Sequence, residues 1–162
     1  MEVKEQILVI LNELIPGSVI ETSDFRDDFT IKIRRENIVE VCELCKSHES
    51  LQFKLLEDLT AVDWGRTKNR FSVVYQLFSL ISNFRVRLMA DVDDKDNSIE
   101  TVTKVWRSAN WAEREVYDMF GITFLNHPDL RRMYMPEEFE YYPLRKEYPL
   151  MGIPGALTLP KK

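Results

Sequence analysis

The distribution of proline places the strongest limit on how this chain of 162 residues can fold. Six of its seven prolines lie between Pro128 and Pro160. Because proline lacks a backbone N–H and disrupts helix interiors, the last ~35 residues cannot form a long helix or a central strand. We therefore expect one domain unit in two parts: an α+β domain over residues 1–125, and an extended C-terminal segment over residues 126–162 that lies along a surface.

Hydrophobic periodicity in the first part predicts a small mixed or antiparallel sheet with helices packed on it. Apolar residues at helical spacing indicate helices from Val3 to Leu14 and from Glu36 to about Ser47. Alternation of apolar and polar residues indicates strands, two of which form a hairpin that turns at Ser82-Asn83. The predicted strands cover residues 19–20, 29–34 and 51–62, and the hairpin covers residues 71–90.

Two further helices are predicted between the hairpin and the extended segment. Ser98 is a suitable cap for a short helix that runs to about Trp106. Asn110 is a suitable cap for the next helix, with Glu113 reaching back to it as in a capping box. Gly121 is expected to end that helix, because glycine adopts the left-handed C-terminal conformation without strain.

Composition excludes several classes of protein. The net charge of −5 and the pI of about 5.2 provide no positive field for nucleic acid or an anionic membrane. The most apolar passage, residues 71–92, is interrupted by charged and amide side chains, so no membrane-spanning helix is expected. The N-terminus lacks a secretory or transit pattern. Two cysteines do not make a disulfide framework, which favours a reducing cytosolic setting.

Cys42, Cys45 and His48 are spaced like metal ligands. Iron–sulfur clusters typically take about four cysteines, and a zinc site here would need a further ligand from elsewhere. The same two cysteines complete the apolar stripe of the second predicted helix. Since free cysteine is among the most buried residue types, we expect both to be core residues and no metal to be bound.

Glu113, Glu115 and Asp118, with His127 as a partner, form a candidate acid–base cluster. Arg114 stands one helical turn before Asp118, a spacing at which side chains pair on a helix surface. Carboxylates beside arginine have lowered pKa values, whereas a general acid at neutral pH needs a raised one. A free-standing small enzyme built on these carboxylates is therefore a disfavoured hypothesis.

The extended segment combines prolines, large aromatic side chains and arginines. The pairs Arg131-Arg132 and Arg145-Lys146 are interspersed with acidic residues that cancel their field, which argues against phosphate or nucleic-acid binding. Aromatic side chains and arginine are typical of protein interfaces. The residues alone leave two alternatives open: the segment docks on another protein, or it wraps the domain that carries it.

One set of residues in this region resembles the signature of a known family. It consists of Asn110-Trp111, Glu113-Arg-Glu, Asp118-Met-Phe, His127-Pro128, Arg131, Met133-Tyr134 and Pro143-Leu-Arg-Lys. Together these residues resemble the thirty-kilodalton subunit family of respiratory complex I. Similarity at Asp58–Asp63 and in the hairpin extends the resemblance over roughly two thirds of the chain. The chain departs from the family at Glu147, where Asp is usual, and at Tyr141-Tyr142, near which a glycine is common.

This resemblance implies a structural, non-catalytic assembly subunit in the hydrophilic arm of a proton-translocating NADH:quinone oxidoreductase. It implies docking on the quinone-site subunit and contact with other subunits of that arm, and no active site in this chain. FMN and iron–sulfur clusters would be held by partner subunits. The chain would be peripheral on the cytoplasmic face of the inner membrane, reaching the membrane only through the complex. The implied partner-binding or signature residues are Trp111, Glu113, Arg114, Glu115, Asp118, His127, Arg131, Arg145 and Lys146.

A related role is the alternative. Similar subunits occur in energy-converting membrane-bound hydrogenases and ferredoxin-linked complexes that share this module. There the docking role would be equivalent, but electrons would not come from NADH.

Overall fold

The computed structural model describes residues 2–148, and a mixed five-stranded sheet forms its centre. The strands in chain order are β1 (Val19–Phe25), β2 (Asp28–Ile33), β3 (Leu55–Asp63), β4 (Phe71–Ser79) and β5 (Phe84–Val92). Across the sheet their order is β1-β2-β5-β4-β3, and only the β2–β5 pair is parallel. The predicted α+β class with a small mixed sheet is confirmed.

The central hairpin has the form that alternation predicts. In β4 the side chains of Phe71, Val73, Tyr75 and Leu77 are fully buried. They pair in register with β5, where Val86, Leu88 and Ala90 are also fully buried. The turn contains Asn83 with a positive φ of 48°, a conformation that asparagine tolerates better than most residues.

Two helices complete the core on the N-terminal side. Helix α1 (Val3–Leu14) is followed by Pro16 and Gly17, and helix α2 (Ile38–Ser47) follows a short 3₁₀ turn at Arg35–Asn37. Their apolar stripes join the strands in one hydrophobic core. Cys42 and Cys45 are fully buried in it, so the prediction that they are core residues is confirmed. Burial raises the pKa of Cys45 to about 12, which keeps the thiol protonated.

Helix α3 (Ala109–Phe120) carries the first eight of the seventeen residues of the family signature. Its residues pack against β3. The predicted end at Gly121 is confirmed, with φ +74° and its N–H bonded to the carbonyl of Tyr117. A Cβ at Gly121 would lie 2.7 Å from the ring of Tyr142, so this glycine also allows the later segment to approach the helix end.

Two predictions about the region before α3 are wrong. Residues 98–106 do not form a helix: Ser98–Glu100 is a strand, β6, parallel to β7 (Thr123–Leu125) in a separate two-stranded sheet. The single cap signal at Ser98 is overridden because Ile99 and Phe124 are both buried by this pairing. The capping box at Asn110 is also absent: the N-cap of α3 is Ser108, two residues earlier, it makes no side-chain cap, and Glu113 has other partners.

Strand boundaries differ from prediction at two further places. Strand β3 begins at Leu55 instead of residue 51, because Gln52 turns the chain with a φ of 45°. Leu51 and Phe53 are nevertheless buried, so their apolar character reflects core packing and not strand pairing. Strand β1 runs on to Phe25, although most of its residues are exposed.

The segment after β7 has turns and no helix or strand from Asn126 to Tyr148. The predicted course of residues 149–162 lies outside the described residues. Within residues 2–148, no helix is both long and apolar enough to cross a membrane.

Candidate functional site

Helix α3 buries two carboxylates, Glu113 and Asp118, each of which is fully inaccessible to solvent. The first faces the segment before the helix, and the second faces the segment that follows β7. Buried carboxylates require hydrogen-bond donors or neutralisation, so their partners define what this site does.

Glu113 is bound to the turn that precedes α3. It accepts hydrogen bonds from the hydroxyl of Thr101 and from the backbone N–H of Val102 at 2.8 Å. Burial raises the pKa of Glu113 to about 7, although these two donors act to lower it. The expectation that arginine lowers the pKa of the carboxylates here is wrong for Glu113, because desolvation dominates and Arg114 is directed elsewhere.

His127 lies beside Glu113, with its Nε2 3.8 Å from Glu113 Oε2 and its side chain fully buried. The N–H of Asp129 donates to Nδ1 at 3.0 Å, so the proton of the neutral ring is on Nε2, 3.2 Å from the carbonyl of Asn110. Burial lowers the pKa of His127, and the nearby charge of Arg114 lowers it further. The ring is therefore a neutral connection between α3 and the following segment.

Asp118 is surrounded by donors from the extended segment. Its Oδ2 accepts three backbone N–H bonds, from Met133 at 3.0 Å, Tyr134 at 2.7 Å and Met135 at 3.0 Å. Arg132 donates to Oδ1 at 2.8 Å. Burial acts to raise the pKa of Asp118, but these four donors outweigh it and hold the pKa below its usual value. We call Asp118 and residues 132–135 the Asp118 cluster.

Arg132 was named only in the pair Arg131-Arg132 and was not among the implied partner-binding or signature residues, although it is more deeply placed than Arg131. Its guanidinium contacts Asp118 and the carbonyl of Tyr141, and lies 5.1 Å from the ring centre of Tyr142. Arg131 is exposed and pairs with exposed Asp129. The local sequence does not distinguish Arg131 from Arg132. Arg132 is the one that turns inward, because Asp118 lies on its side of the segment.

Helical spacing predicts that Arg114 pairs with Asp118, but the two side chains are not paired in the structure. Arg114 donates to the carbonyls of Arg131 and Arg132, at 3.2 and 3.4 Å, and lies 4.8 Å from the ring centre of Trp111. Its charge therefore stabilises the backbone on which the Asp118 cluster is built. Trp111 itself is 62% exposed.

A second cluster holds the end of the described segment. Asp63, at the end of β3, accepts hydrogen bonds from Arg70 and from the backbone N–H groups of Gly65 and Lys146. Burial acts to raise the pKa of Asp63, but these donors hold it at about 2. The carboxylate thus connects the sheet to a residue 83 positions later in the chain.

Arg145 extends this second cluster to the end of α3. It donates to the carbonyl of Phe120 at 2.7 Å and pairs with Asp94 at 3.3 Å. A cation at a helix C-terminus is favourable, because the last carbonyls there carry partial negative charge. Glu147 pairs with Arg70 and lies 3.7 Å from Arg145. We call Asp63, Arg70, Asp94, Arg145 and Glu147 the Asp63 cluster.

The structure thus separates the predicted site residues into three groups. Around α3 it brings together Trp111, Glu113, Arg114, Asp118 and His127, whereas Arg145 and the backbone of Lys146 join the Asp63 cluster. Glu115 and Arg131 are exposed. Of the candidate acid–base cluster, Glu113 and His127 lie side by side, whereas Asp118 has separate partners and Glu115 is exposed to solvent.

The Asp118 cluster and the Asp63 cluster hold the C-terminal segment against its own domain. Residues 132–135 are held by Asp118, the N–H of Leu144 donates to the carbonyl of Met119, and Lys146 is held by Asp63. Up to residue 148 the segment therefore wraps the domain that carries it, one of the two alternatives left open by sequence. Its outer side remains accessible: Tyr134 is 60% and Leu144 is 54% exposed.

Sequence reasoning missed Thr101, Asp63 and Arg70 as well as Arg132. Asp63 was named only as the end of the stretch Asp58–Asp63 that resembles the family, and nothing local distinguishes Arg70 or Thr101. Within the described part of the chain, no group of three or more His, Cys, Asp or Glu side chains is placed to hold a metal ion. That no cofactor binds this chain stays a prediction.

Comparison with known proteins gives consistent matches. The family described as "Respiratory-chain NADH dehydrogenase, 30 Kd subunit" matches residues 31–154. A subunit of the NADH-quinone oxidoreductase of Geobacter sulfurreducens is 46% identical over 153 residues, covering 94% of this chain and 93% of the relative. Both matches include α3 and the segment that follows it.

Two solved structures resemble the fold. The trypsin-resistant fragment of Nqo5 superposes with a TM-score of 0.64 at 32% identity, covering 77% of this chain and 99% of the fragment. A chain of the membrane-bound sulfane sulfur reductase, an archaeal respiratory membrane complex, superposes with a TM-score of 0.76 at 22% identity, covering 93% and 88%. The second likeness concerns the fold alone.

Proposed function

The chain belongs to the family of the 30 kDa subunit of respiratory-chain NADH dehydrogenase, and from this membership we propose its role. It is a non-catalytic structural subunit in the hydrophilic arm of a proton-translocating NADH:quinone oxidoreductase, and it docks on the quinone-site subunit. The observation that carries the proposal is a set of exposed apolar side chains that lie in α3 or are held by a hydrogen bond to it.

Three side chains make up this set, which we call the presented face: Trp111, Tyr134 and Leu144. Each is more than half exposed. The N–H of Tyr134 is held by Asp118, that of Leu144 by the carbonyl of Met119, and the ring of Trp111 lies against Arg114. Tryptophan and tyrosine are enriched among the residues that dominate binding energy, and a fixed backbone reduces the entropy lost on binding.

The environment of the carboxylates supports a structural role over a catalytic one. A general acid must reach its substrate, and the raised pKa of Glu113 belongs to a side chain with no solvent-accessible surface. Asp118 is ionised and fully occupied by four donors. Both groups serve to hold the chain in shape.

The remaining parts of the proposal follow from family membership. FMN and iron–sulfur clusters are held by partner subunits, and this chain carries none. It is peripheral, on the cytoplasmic face of the membrane, and contacts the membrane only through the complex. Residues 126–162 form the main docking segment, with Arg131 and Lys146 available to carboxylates of the partner.

A co-purification experiment tests the docking role. The tagged chain is expressed in its native host with Tyr134→Ala and Leu144→Ala together, and the co-purifying subunits are quantified by mass spectrometry. We expect at least a tenfold loss of recovered complex, since removing central interface side chains typically costs ~2 kcal/mol or more. Thermal unfolding of the isolated variant should be almost unchanged, because both side chains are exposed.

The matched control is Leu80→Ala with Ile81→Ala at the hairpin turn, where both side chains are about as exposed. Recovery of the complex at wild-type yield with the presented face removed, or equal losses in both double variants, would contradict the proposal.

The second candidate function is the same subunit role in a complex whose electron donor is not NADH. The fold likeness to a chain of the archaeal sulfane sulfur reductase shows that this architecture also occurs in a respiratory membrane complex named for a different reaction. We favour NADH because the 46% identical relative is named an NADH-quinone oxidoreductase subunit. In the same co-purification, a flavin-bearing NADH-binding subunit supports this choice, whereas a nickel-bearing subunit would support a hydrogenase and an unaccompanied chain would refute both.

A further inference from the structure

A groove lined by cations runs along the side of the molecule that includes the turn before α3. Three adjoining depressions, of about 550, 540 and 480 Å³, share residues of that turn. The cations that line them are Lys46 at the end of α2, Lys54 just before β3, and Lys104 and Arg107 in the turn. We call these four residues the basic groove.

As far as the structure describes the chain, the four cations of the basic groove have no ion pairs, in contrast to most other cations on this surface. Seven arginines elsewhere in the described residues are paired with carboxylates, as Arg70 is with Asp63 and Arg145 with Asp94. Over residues 2–148, in contrast, no ion pair involves any of the four groove cations; Lys46 donates to the carbonyl of Val105. Glu43 is the one acidic residue among the linings.

The charge of the whole chain limits what such a groove attracts. The net charge is −5, so a membrane surface or a long nucleic acid would meet the acidic remainder of the chain as well as the groove. A short acidic segment seated in the groove mainly senses charges within a Debye length of about 8–10 Å. Charge complementarity therefore favours a peptide over either extended polyanion.

The groove also offers apolar surface. Its floor includes Leu55, Leu56, Val105 and Trp106, and one end is closed by Trp111. Trp111 belongs to the presented face, so the groove is continuous with the surface proposed above for docking. A segment with alternating acidic and apolar side chains matches both kinds of lining.

We propose that the basic groove binds an acidic, extended segment of a second subunit of the same assembly. Asp or Glu side chains of that segment pair with Lys104 and Arg107, and apolar side chains lie between Trp106 and Trp111. This inference rests on the proposed subunit role, and adds to it a separate contact of opposite chemistry to the presented face.

The test places a photo-crosslinking amino acid at Lys104 in the complete assembly, and identifies the captured peptide by mass spectrometry. The matched control carries the same group at Lys68, an exposed lysine outside the groove. We expect capture of a peptide rich in Asp and Glu from another subunit at position 104 and not at position 68. Capture of a neutral or basic peptide, of lipid or of RNA at position 104 would overturn the proposal.

A charge-reversal pair gives a second readout. Lys104→Glu with Arg107→Glu should lower recovery of the assembly about tenfold or more at low salt, because like charges face each other across the interface. Lys104→Gln with Arg107→Gln should have an intermediate effect, and Lys68→Glu almost none. Wild-type recovery with the reversed groove contradicts the groove proposal alone, provided that the Tyr134 and Leu144 variant still loses the complex. An unaccompanied wild-type chain would overturn both.

Discussion

The two buried carboxylates of α3 occupy one helix and are equally hidden from solvent, yet their pKa values move in opposite directions. The pKa of Glu113 rises to about 7 because burial outweighs its two donors. The pKa of Asp118 falls, because three backbone N–H groups and a guanidinium together outweigh the effect of its burial. Of these two buried acids, the one with more donors keeps its charge, and the one with fewer holds its proton.

Because the two pKa values move in opposite directions, the two ends of α3 are held by different kinds of interaction. The Glu113 end is held by contacts that do not require ionisation, with a neutral histidine beside it. The Asp118 end depends on a full negative charge, because Arg132 would otherwise be left without its partner. Substitutions that exchange or remove these properties test the contrast directly.

The largest effect is expected for Asp118→Asn. The change removes the charge opposite Arg132 and supplies an amide group where only acceptors fit, so the free energy of unfolding should fall by about 3–5 kcal/mol. Urea unfolding of the isolated chain measures it. Asp129→Asn, which alters an exposed acid in the same segment, is the control. A loss no greater than that of the control would show that the Asp118 cluster is not held by charge.

Glu113→Gln tests the opposite end, and its effect depends on pH. A carboxyl whose pKa is raised on folding from 4.5 to about 7 stabilises the fold below pH ~4.5, and that stability is lost as the pH rises through ~7. At ~1.4 kcal/mol per unit, the change amounts to roughly 3 kcal/mol. Glutamine does not titrate, so relative to wild type the variant should gain about that amount between pH ~4.5 and pH ~8.5.

His127 contributes a pH dependence of stability that is opposite to that of Glu113, because its pKa is lowered and its neutral form is favoured in the folded chain. Its contribution is present above the pKa of an ordinary histidine and is lost as the pH falls. Comparing Glu113→Gln with wild type at each pH cancels the histidine contribution to first order. A difference between the two proteins that does not vary with pH would refute the assignment of the raised pKa to Glu113.

Thr101→Val should have a smaller effect and sharpens the same comparison. Loss of the hydroxyl removes one of the two donors to Glu113, which should cost about 1–2 kcal/mol above pH ~7. The pKa of Glu113 should rise further, because this hydrogen bond lowers it. Unfolding followed over a pH series measures both quantities. Thr103→Val, which leaves the bond from Thr101 in place, serves as the comparison variant.

The smallest effect is expected for Arg131→Ala. Its ion pair with Asp129 joins two exposed side chains, and such pairs contribute ~0.5 kcal/mol or less. Arg132→Ala, one residue away, should destabilise the chain several times as much, since it leaves Asp118 without a cation. Thermal unfolding of the two variants in parallel gives the ratio, and equal effects would contradict the distinction between the two arginines.

The sequence was sufficient where a local pattern and the tertiary structure agree. Alternation in β4 and β5, the stripe that contains Cys42 and Cys45, and the glycine that ends α3 were all predicted correctly. At Ser98 the local pattern favoured a helix, and the burial of Ile99 against the strand after α3 favoured a strand. The tertiary contact was stronger there.

The site was harder to predict because its partners lie far apart in the chain. The resemblance identified Glu113, Asp118 and His127 as important residues, and spacing suggested that Arg114 would pair with Asp118. The actual donors come from residues 101–102 and 132–135, and a spacing rule restricted to one helix cannot include them. The choice of Arg132 over Arg131 likewise depends on which side of the segment faces the helix.

The bond between Asp63 and the backbone of Lys146 has a consequence for biosynthesis. Chains emerge from the ribosome with the N-terminus first. The sheet with Asp63 can therefore assemble before Lys146, which lies 83 residues later and donates to Asp63, has been translated. A product released before Lys146 is translated would lack that hydrogen bond, although Arg70 and Gly65 would still bind Asp63. Prematurely terminated copies would therefore carry the sheet without the contact that joins it to the later segment.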